Sequence, residues 1–262
     1  MKKLGIIGAG YLAKIVVEAY QKGMLEGYEL VGITGRNKEH VEELAKSCGS
    51  VACRDYDELL FLKPEIIVEA ASVAAVKESA EKILSHGCSM VVLSIGAFAD
   101  QDYLNQVKRT ADENGATIYL TSGAVGGFDV LKTLSLMSDG DMEAKICTHK
   151  GPQSLKNTPL FEEKLMEEGE ETEVFTGNAK EAIALLPTKV NVAVATALAS
   201  AGPENTNVSI CSVPGMTGDD HCITAKAAGC KTIIDTYSPT SAIAGWSVVA
   251  LLQNLNSSIV VF

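Results

Sequence analysis

Long apolar runs are missing from this chain of 262 residues. No segment approaches the ~20 consecutive apolar residues that a helix needs to cross a bilayer, so the sequence predicts no membrane span. The apolar start Met1–Ile7 is interrupted by Gly8 and Gly10, and no cleavage-type region follows it. We therefore expect neither a signal peptide nor a membrane partner.

Positive charge is scarce as well. The chain has 22 Lys and Arg residues against 33 Asp and Glu residues, which gives a formal net charge of −11. A surface of this sign repels phosphate-rich polymers at long range, which excludes nucleic acid and anionic membrane surfaces as partners. A local basic pocket for a small anion remains compatible with this balance.

Cysteines occur, but not in a pattern that indicates a disulfide framework or a metal centre. Their number, seven, is odd, and no two of them have the spacing typical of metal ligands. We expect reduced thiols, no metal site and a cytoplasmic location, because disulfides persist mainly in oxidising compartments. The seven residues are Cys48, Cys53, Cys88, Cys147, Cys211, Cys222 and Cys230.

The composition is that of a globular protein. Hydrophobic residues make up 47% of the chain and charged residues 21%, which is enough to bury a full core and excludes a disordered or fibrous chain. The length allows one large domain or two modest ones.

Short β-branched runs alternate with helical patterns in residues 1–121, which predicts βαβ units in an α/β domain. The strands are apolar on both faces, as in a doubly wound parallel sheet covered by helices, so we expect a dinucleotide-binding Rossmann domain here. The predicted strands are Leu4–Ile7, Leu30–Thr34, Ile66–Glu69, Met90–Ser94 and Thr117–Thr121, and the predicted helices are Leu12–Lys22, Lys38–Ser47, Val73–Ser85 and Asp102–Asn114.

Residues 122–240 have a different pattern, which predicts a second, α+β domain with a mainly antiparallel sheet. Residues 241–262 are expected to form a C-terminal helix and tail that pack back on the first domain. Seven of the twelve residues in 162–173 are Glu, and we expect a solvated segment without chemistry there. The predicted strands are Ala144–Lys150, Val174–Gly177, Asn207–Cys211, Cys222–Ala227 and Thr232–Tyr237, and the predicted helices are Ala179–Leu186, Val190–Ala201 and Ala242–Leu255.

The sharpest local motif is Gly-Ala-Gly-Tyr-Leu-Ala at positions 8–13, between a predicted strand and a predicted helix. In a dinucleotide-binding turn, Gly8 permits the tight turn, Gly10 leaves room for the pyrophosphate, and Ala13 allows close helix–strand packing. The helix that begins at Tyr11 and Leu12 would offer its N–H groups to phosphate. The alternative is a tight turn that binds no ligand.

The end of the second strand bears on the choice of cofactor. An NAD site usually has an Asp or Glu here for the ribose 2′-OH, whereas this chain has Arg36. A guanidinium could bind a 2′-phosphate, so NADP is favoured over NAD unless Arg36 is only a solvent-facing loop residue. The loops with Ala71, Ser72 and Ala97 follow later strands and should also border the cofactor, because ligands bind at the carboxyl ends of such strands.

His221 is the histidine with the most suggestive surroundings. His40 and His86 fall on predicted surfaces of the first domain, whereas His221 follows a polar loop and precedes a strand. Asp219 and Asp220 could orient an imidazole. Their negative charges would also stabilise its charged form near neutral pH and so raise its pKa. An ordinary exposed loop histidine is the alternative.

Five stretches together resemble the L-aspartate dehydrogenases, and the resemblance covers nearly the whole chain in order. Its most specific parts are Ser-Gly-Ala-x-Gly-Gly-x-Asp, from Ser122, and Pro-x-x-x-Asn-Val-Ala, which ends at Ala193. The stretches are Glu69–Glu78, Ala97–Asp100, Ser122–Asp129, Leu186–Ala193 and Pro214–His221.

The resemblance implies oxidation of L-aspartate to iminoaspartate, and then to oxaloacetate and ammonia, with NAD or NADP, or the reverse reaction. It implies that Ala124 and Asn191 contact the cofactor and that His221 is catalytic. Lys150 and Ser122 are the implied substrate-binding residues, although a surface lysine is the alternative for Lys150. A homodimer with a role in amino-acid metabolism and NAD biosynthesis is also implied.

Three departures from the family pattern lie on the substrate side: Val213 replaces Asp, Asp219 replaces Asn, and 238–242 replaces an Asn-Pro-Lys-Thr-Ser-like stretch. They leave two alternatives open. One is another two-domain NAD(P)-dependent reductase, similar to homoserine dehydrogenase or dihydrodipicolinate reductase. The other is a non-catalytic NADP-binding sensor.

Overall fold

The computed structural model describes residues 1–167, 169–186 and 190–261. The chain forms two compact units. The first consists of Met1–Gly123 with Ala244–Phe262, and the second of Ala124–Ile243.

The first unit is built on a six-stranded sheet whose strands all pair in parallel. Its strand order, β3-β2-β1-β4-β5-β6, is that of a dinucleotide-binding Rossmann sheet, which confirms the predicted fold class. The strands are β1 (Lys2–Ile7), β2 (Tyr28–Thr34), β3 (Val51–Ala52), β4 (Ile66–Glu69), β5 (Ser89–Val92) and β6 (Ile118–Leu120).

Helices connect these strands, and their ends are set by local hydrogen bonds. The Ser72 hydroxyl accepts from the Ala75 N–H and caps the fourth helix, whose Val76, Ile83 and Leu84 are fully buried. Burial of such side chains contributes about 1.5–3 kcal/mol each, so packing fixes the helix on the sheet. The helices are α1 (Tyr11–Gln21), α2 (Lys38–Cys48), α3 (Tyr56–Phe61), α4 (Val73–Ser85) and α5 (Gln101–Glu113), with a 3-10 turn at Ile95–Ala99.

The second unit is built on a five-stranded sheet of order β11-β10-β7-β9-β8. Only the β7–β9 pairing is parallel, so the prediction of an α+β unit with a mainly antiparallel sheet is confirmed. The elements are α6 (Phe128–Met137), β7 (Glu143–Lys150), α7 (Pro152–Leu155), β8 (Thr172–Asn178), α8 (Ala179–Leu185), α9 (Asn191–Ala199), β9 (Thr206–Ser212), β10 (Asp219–Ala227) and β11 (Cys230–Ser238).

The two faces of this second sheet differ. Along β7, the even-numbered residues from Ala144 to Lys150 are buried, whereas the odd-numbered ones are exposed or half-buried. Residues Ile146, Val208, Ile210 and Ile223 of the buried face join α6, α8 and α9 in one apolar core. The strands therefore present a core face and an opposite, half-exposed face.

The Glu-rich segment is largely exposed, as expected, and includes a 3-10 turn at Glu163–Met166. Strand β8 begins inside it, at Thr172. Glu168 lies outside the described residues.

The last helix, α10 (Ala242–Asn254), contributes to the core of the first unit. Its Val248, Val249 and Leu252 are buried there, and the Tyr28 hydroxyl donates to the Leu252 carbonyl oxygen at 2.8 Å. Among the described residues, no helix combines the length and the apolar character needed to cross a membrane.

Candidate active site

The glycine turn of the first unit adopts the conformation that its motif predicts. Gly8 follows β1 with a φ of +114°, and a Cβ at this position would collide with the carbonyl oxygen of Ala70. The Gly8 N–H donates to the Thr34 carbonyl oxygen at 2.7 Å. Only glycine satisfies both the backbone conformation and the close approach.

Gly10 has no comparable role in packing. Its φ is −85°, and a Cβ built on it meets no described atom within 4 Å. No side chain of the described residues caps α1, whose first residues are the exposed Tyr11 and the half-buried Leu12. Open space beside an uncapped helix N-terminus is the cradle that a phosphate requires, so these residues fit a dinucleotide.

The loops that follow β2 and β4 converge on this turn. A Cβ at Gly35 would lie 3.6 Å from the Gly8 Cα, and Ala70 contacts Gly8 from the other side. Arg36 is exposed in the loop after β2, so its guanidinium is accessible to a group of a bound cofactor. Its assignment to a 2′-phosphate stays a prediction.

Glu69 is a residue that sequence analysis did not single out. It is the last residue of β4 and is fully buried. Its carboxylate accepts hydrogen bonds at 2.8–3.0 Å from the N–H groups of Ala71, Ser72 and Ser94 and from the Ser94 hydroxyl. Burial raises the pKa of its carboxyl group. Glu69 thereby fixes two loops at the cofactor edge, and the signal was an acid at the end of an otherwise apolar strand.

The other predicted cofactor residues have varied environments. Ala71 is exposed and Ser72 half-buried, whereas Ala97 is fully buried in the 3-10 turn after β5. Ala124 and Asn191 belong to the second unit, where Asn191 begins α9. Residues 187–189 of the family-like stretch lie outside the described residues.

His221 lies inside strand β10 and not in a polar loop. It faces Thr148 across the β7–β10 pairing, and only 4% of its surface is exposed. Its Nδ1 is 3.0 Å from the Thr148 Oγ1. The alternative of an exposed loop histidine is therefore wrong, because the strand already begins at Asp219.

Lys150 is two residues beyond Thr148 on the same face of β7. It is buried, and its Nζ forms an ion pair with the Oδ2 of Asp219 at 2.8 Å. The alternative of a surface lysine is therefore wrong. Ser122, the other predicted substrate residue, is half-buried after β6 in the first unit.

The electrostatics of His221 differ from the sequence expectation. Burial, reinforced by the positive charge of Lys150, lowers the pKa of His221 to about 4, against a smaller opposing effect of Asp219. Asp220 lies on the other face of β10, where its Oδ2 is 3.9 Å from the Nδ1 of His149. Asp219 raises this pKa as predicted, but burial and Lys150 outweigh it, so the predicted net upward shift was wrong and the imidazole is neutral near pH 7.

A neutral imidazole, a buried ammonium and a carboxylate thus lie on the core face of two paired strands. The imidazole can accept a proton, and the ammonium can donate to a carboxylate. Such groups suit a small anionic substrate with a titratable nitrogen.

Two family models match the chain, one for each part. Residues 5–121 match the model described as "Homoserine dehydrogenase, NAD binding domain". Residues 129–255 match the model described as "Aspartate dehydrogenase, C-terminal".

Similar proteins cover the chain from end to end. An L-aspartate dehydrogenase of Methanococcus maripaludis strain C5 is 34% identical over 99% of this chain and 98% of its own. One of Methanospirillum hungatei is 32% identical over 100% and 99%. A crystal structure of aspartate dehydrogenase from Thermotoga maritima superposes with a TM-score of 0.79 at 26% identity, covering both chains fully. The first unit is a nicotinamide-dinucleotide-binding domain, and the chain belongs to the L-aspartate dehydrogenase family of oxidoreductases.

Proposed function

We propose that this protein catalyses the reversible oxidation of L-aspartate to iminoaspartate, which water converts to oxaloacetate and ammonia. The observation that carries the proposal is the buried set of His221, Thr148, Lys150 and Asp219 in a member of the L-aspartate dehydrogenase family.

The first unit would hold the cofactor. Gly8 and Gly10 form the open turn, and the N–H groups of Tyr11 and Leu12, at the uncapped start of α1, would donate to phosphate. A nicotinamide bound there would supply the redox chemistry, as the hydride acceptor. Other proposed contacts are Ala71, Ser72, Ala97, Ala124 and Asn191.

Arg36 makes NADP the favoured cofactor. An exposed guanidinium at the end of β2 can form charge-assisted hydrogen bonds with a 2′-phosphate, and no acid takes the place of the NAD-specific carboxylate. NADP(H) should therefore bind at least as tightly as NAD(H).

His221 would move the protons. Oxidation at Cα requires a neutral amine, and a neutral imidazole can take the proton of the substrate ammonium group. If the Nδ1–H donates to the Thr148 Oγ1, the Nε2 is the basic atom. Once that proton has passed to solvent, the neutral imidazole can take a proton from the water that attacks the imine carbon and return it to the departing ammonia.

Lys150 would bind a carboxylate of the substrate, and Ser122 is the other substrate-binding residue that the family resemblance implies. Its ammonium has three donors, and Asp219 occupies one of them. Asp219 holds the ammonium in place and stabilises its charge in a buried position. A substrate with two carboxylates matches this cation better than a neutral amino acid does.

A substrate panel tests the proposal. L-aspartate, D-aspartate, L-glutamate and L-homoserine are each offered with NAD⁺ and NADP⁺ while the absorbance of the reduced nicotinamide is followed. We expect turnover with L-aspartate to exceed that with the other three, and His221→Asn to abolish most of it while dinucleotide still binds. Faster turnover of L-homoserine, or none with any amino acid, would contradict the proposal.

The family resemblance also supports a homodimer in the cytoplasm with a role in NAD biosynthesis. All seven cysteines are unpaired thiols, as a reducing compartment would keep them. Sedimentation analysis should give twice the mass of one chain, and a monomer would contradict the dimer.

A further inference from the structure

The half-exposed face of the second sheet carries a group of metal-ligand side chains that the proposed reaction does not use. Cys147 and His149 are two residues apart on β7, and Cys211 is the cross-strand partner of His149 on β9. The two Sγ atoms and a ring nitrogen of His149 all lie within 4.8 Å of one another. The spacing in the sequence does not reveal this group, because strand pairing brings its members together.

The distances match those between ligands of one tetrahedral ion. The Cys147 Sγ is 3.7 Å from the His149 Nε2. Two ligands at Zn–S ≈ 2.3 Å and Zn–N ≈ 2.0–2.1 Å in tetrahedral geometry lie roughly 3.6 Å apart. A thiol–imidazole hydrogen bond alone would not require the Sγ of Cys211 within 4.8 Å of a nitrogen of the same ring.

Glu171 is the candidate for a fourth ligand. The Glu171 Oε1 is 3.5 Å from the His149 Nε2. The carboxylate thus lies against one member of the group, and its side chain is half-exposed, so it can turn toward an ion. Two sulfurs, one imidazole nitrogen and one carboxylate oxygen form a closed set for Zn²⁺.

The second ring nitrogen of His149 supports this arrangement. Its Nδ1 is buried without a hydrogen-bond partner among the described residues, and the Asp220 Oδ2 is 3.9 Å away. A histidine that binds zinc through Nε2 commonly donates its Nδ1–H to a carboxylate, which fixes the ring. A small ring movement on metal binding would complete that bond.

We propose that Cys147, His149, Cys211 and Glu171 bind one Zn²⁺ ion, with Asp220 orienting His149. Each thiol gives up its proton on binding, so the two thiolates balance the charge of the ion, and the carboxylate leaves the site with one net negative charge. The site is structural, because it links β7, β9 and the residue before β8 and has no open position for a substrate. It lies on the face of the sheet opposite to Lys150 and His221. Along β7 and β10, residues of the zinc site alternate with residues of the face that carries Lys150 and His221.

Cobalt substitution tests the site in the full-length protein. The protein is stripped with a chelator under reducing conditions and then titrated with Co²⁺, which reports thiolate ligands by charge-transfer absorption and tetrahedral geometry by its visible bands. We expect both signals to saturate at one equivalent and to disappear when one equivalent of Zn²⁺ is added. Absence of the thiolate band would overturn the proposal.

Variants assign the ligands. Cys147→Ser should abolish the thiolate signal of Cys147 and weaken Zn²⁺ binding by more than the ~10–100-fold expected for Asp220→Asn. Cys230→Ser, at an exposed cysteine in β11, is the matched control and should change nothing. If Glu171→Gln binds Zn²⁺ as tightly as the unmodified protein does, the assignment of Glu171 as the fourth ligand is wrong.

Alkylation of the unmodified protein avoids any folding defect of the variants. Zn²⁺ should protect Cys147 and Cys211 from a thiol reagent at least tenfold more than it protects Cys230. Equal labelling rates with and without Zn²⁺, or a Cys147–Cys211 disulfide in freshly purified protein, would overturn the site.

Discussion

The two units assemble their functional groups in different ways. In the first unit the glycine turn is a single local segment, and backbone conformation at Gly8 and open space at Gly10 give it its character. In the second unit His221 and Thr148 are 73 residues apart and meet only because β10 pairs with β7. A local motif can be read from neighbouring letters, whereas a cross-strand site depends on register.

The geometry of the cross-strand site depends on the register of strand pairing, whereas the geometry of the glycine turn does not. Residues alternate between the faces of a strand, so a slip of one residue in β10 would move both His221 and Asp219 to the half-exposed face. Nine pairs with β11 and eight pairs with β7 hold that register. The next residues on the same face as His221 are Ile223, Ala225 and Ala227, which are all buried. A slip would move them out of the core, so their burial resists it.

The largest effect is expected for Gly10→Val, which targets the local turn. The side chain would occupy the open space of the cradle, so dinucleotide binding should become undetectable by calorimetry. The backbone conformation suits valine, and stability should fall by no more than about 1 kcal/mol, the cost of a poor helix N-cap.

Gly169→Val is the matched control, because a Cβ there also meets no described atom and its φ is not left-handed. It should bind dinucleotide normally. Normal binding by folded Gly10→Val would remove the turn from the cofactor site.

The next effect concerns the cross-strand site. His221→Asn should lower kcat by ~10²–10⁴, the usual contribution of a positioned proton-transfer group. Its dinucleotide Kd should stay within a factor of two or so of the original value, because no cofactor contact is assigned to His221. Since the imidazole pKa is about 4, the acid limb of kcat/KM should bend near that pH and not near neutrality.

His40→Asn replaces an exposed histidine on α2 and should leave kcat unchanged. An active His221→Asn variant with an unaltered pH profile would exclude the imidazole from proton transfer.

Much of the fold could be predicted from periodicity. Ile66–Glu69 and Val73–Ser85 were predicted with the bounds that the structure has. The two-residue strand β3 and the six-residue helix α3 were missed, because segments so short carry no period. Helix α6 was missed as well, since the glycine-rich segment before it resembles a loop.

The candidate site divides in the same manner. The glycine turn was predicted from its letters, whereas the burial of Lys150 and the strand position of His221 were not. Asp219 and Asp220 resemble a loop in composition, but the alternation from His221 to Ala227 signalled a strand that begins earlier. The pKa of His221 could not be predicted, because it depends on burial and on Lys150 across the sheet.

Arg36→Ala sharpens the comparison within the first unit. It should weaken NADP(H) binding by about 1.5–3 kcal/mol, the range for hydrogen bonds to charged groups, and leave NAD(H) binding unchanged. Lys46→Ala removes the same charge from an exposed position on α2 and should affect neither cofactor. Equal weakening of both cofactors by Arg36→Ala would contradict a role at the 2′-phosphate.

The smallest expected effect is on acid stability and belongs to the second unit. The folded pKa of His221 lies below the ordinary value of 6.5, so its contribution to stability is present above pH 6.5 and is lost as the pH falls toward 4. Between pH 7 and pH 5 this amounts to about 2 kcal/mol in the free energy of unfolding. Denaturant titrations should show that His221→Asn loses this dependence and that His40→Asn keeps it; identical slopes in both would contradict the burial of a neutral imidazole.

The most direct test of the division of work between the two units is a paired measurement on Gly10→Val and His221→Asn. Dinucleotide binding is followed by calorimetry, and L-aspartate oxidation is followed in the same preparations. We predict that Gly10→Val loses binding and therefore turnover, whereas His221→Asn binds normally and loses turnover alone. Loss of binding in His221→Asn, or turnover in Gly10→Val, would contradict that division.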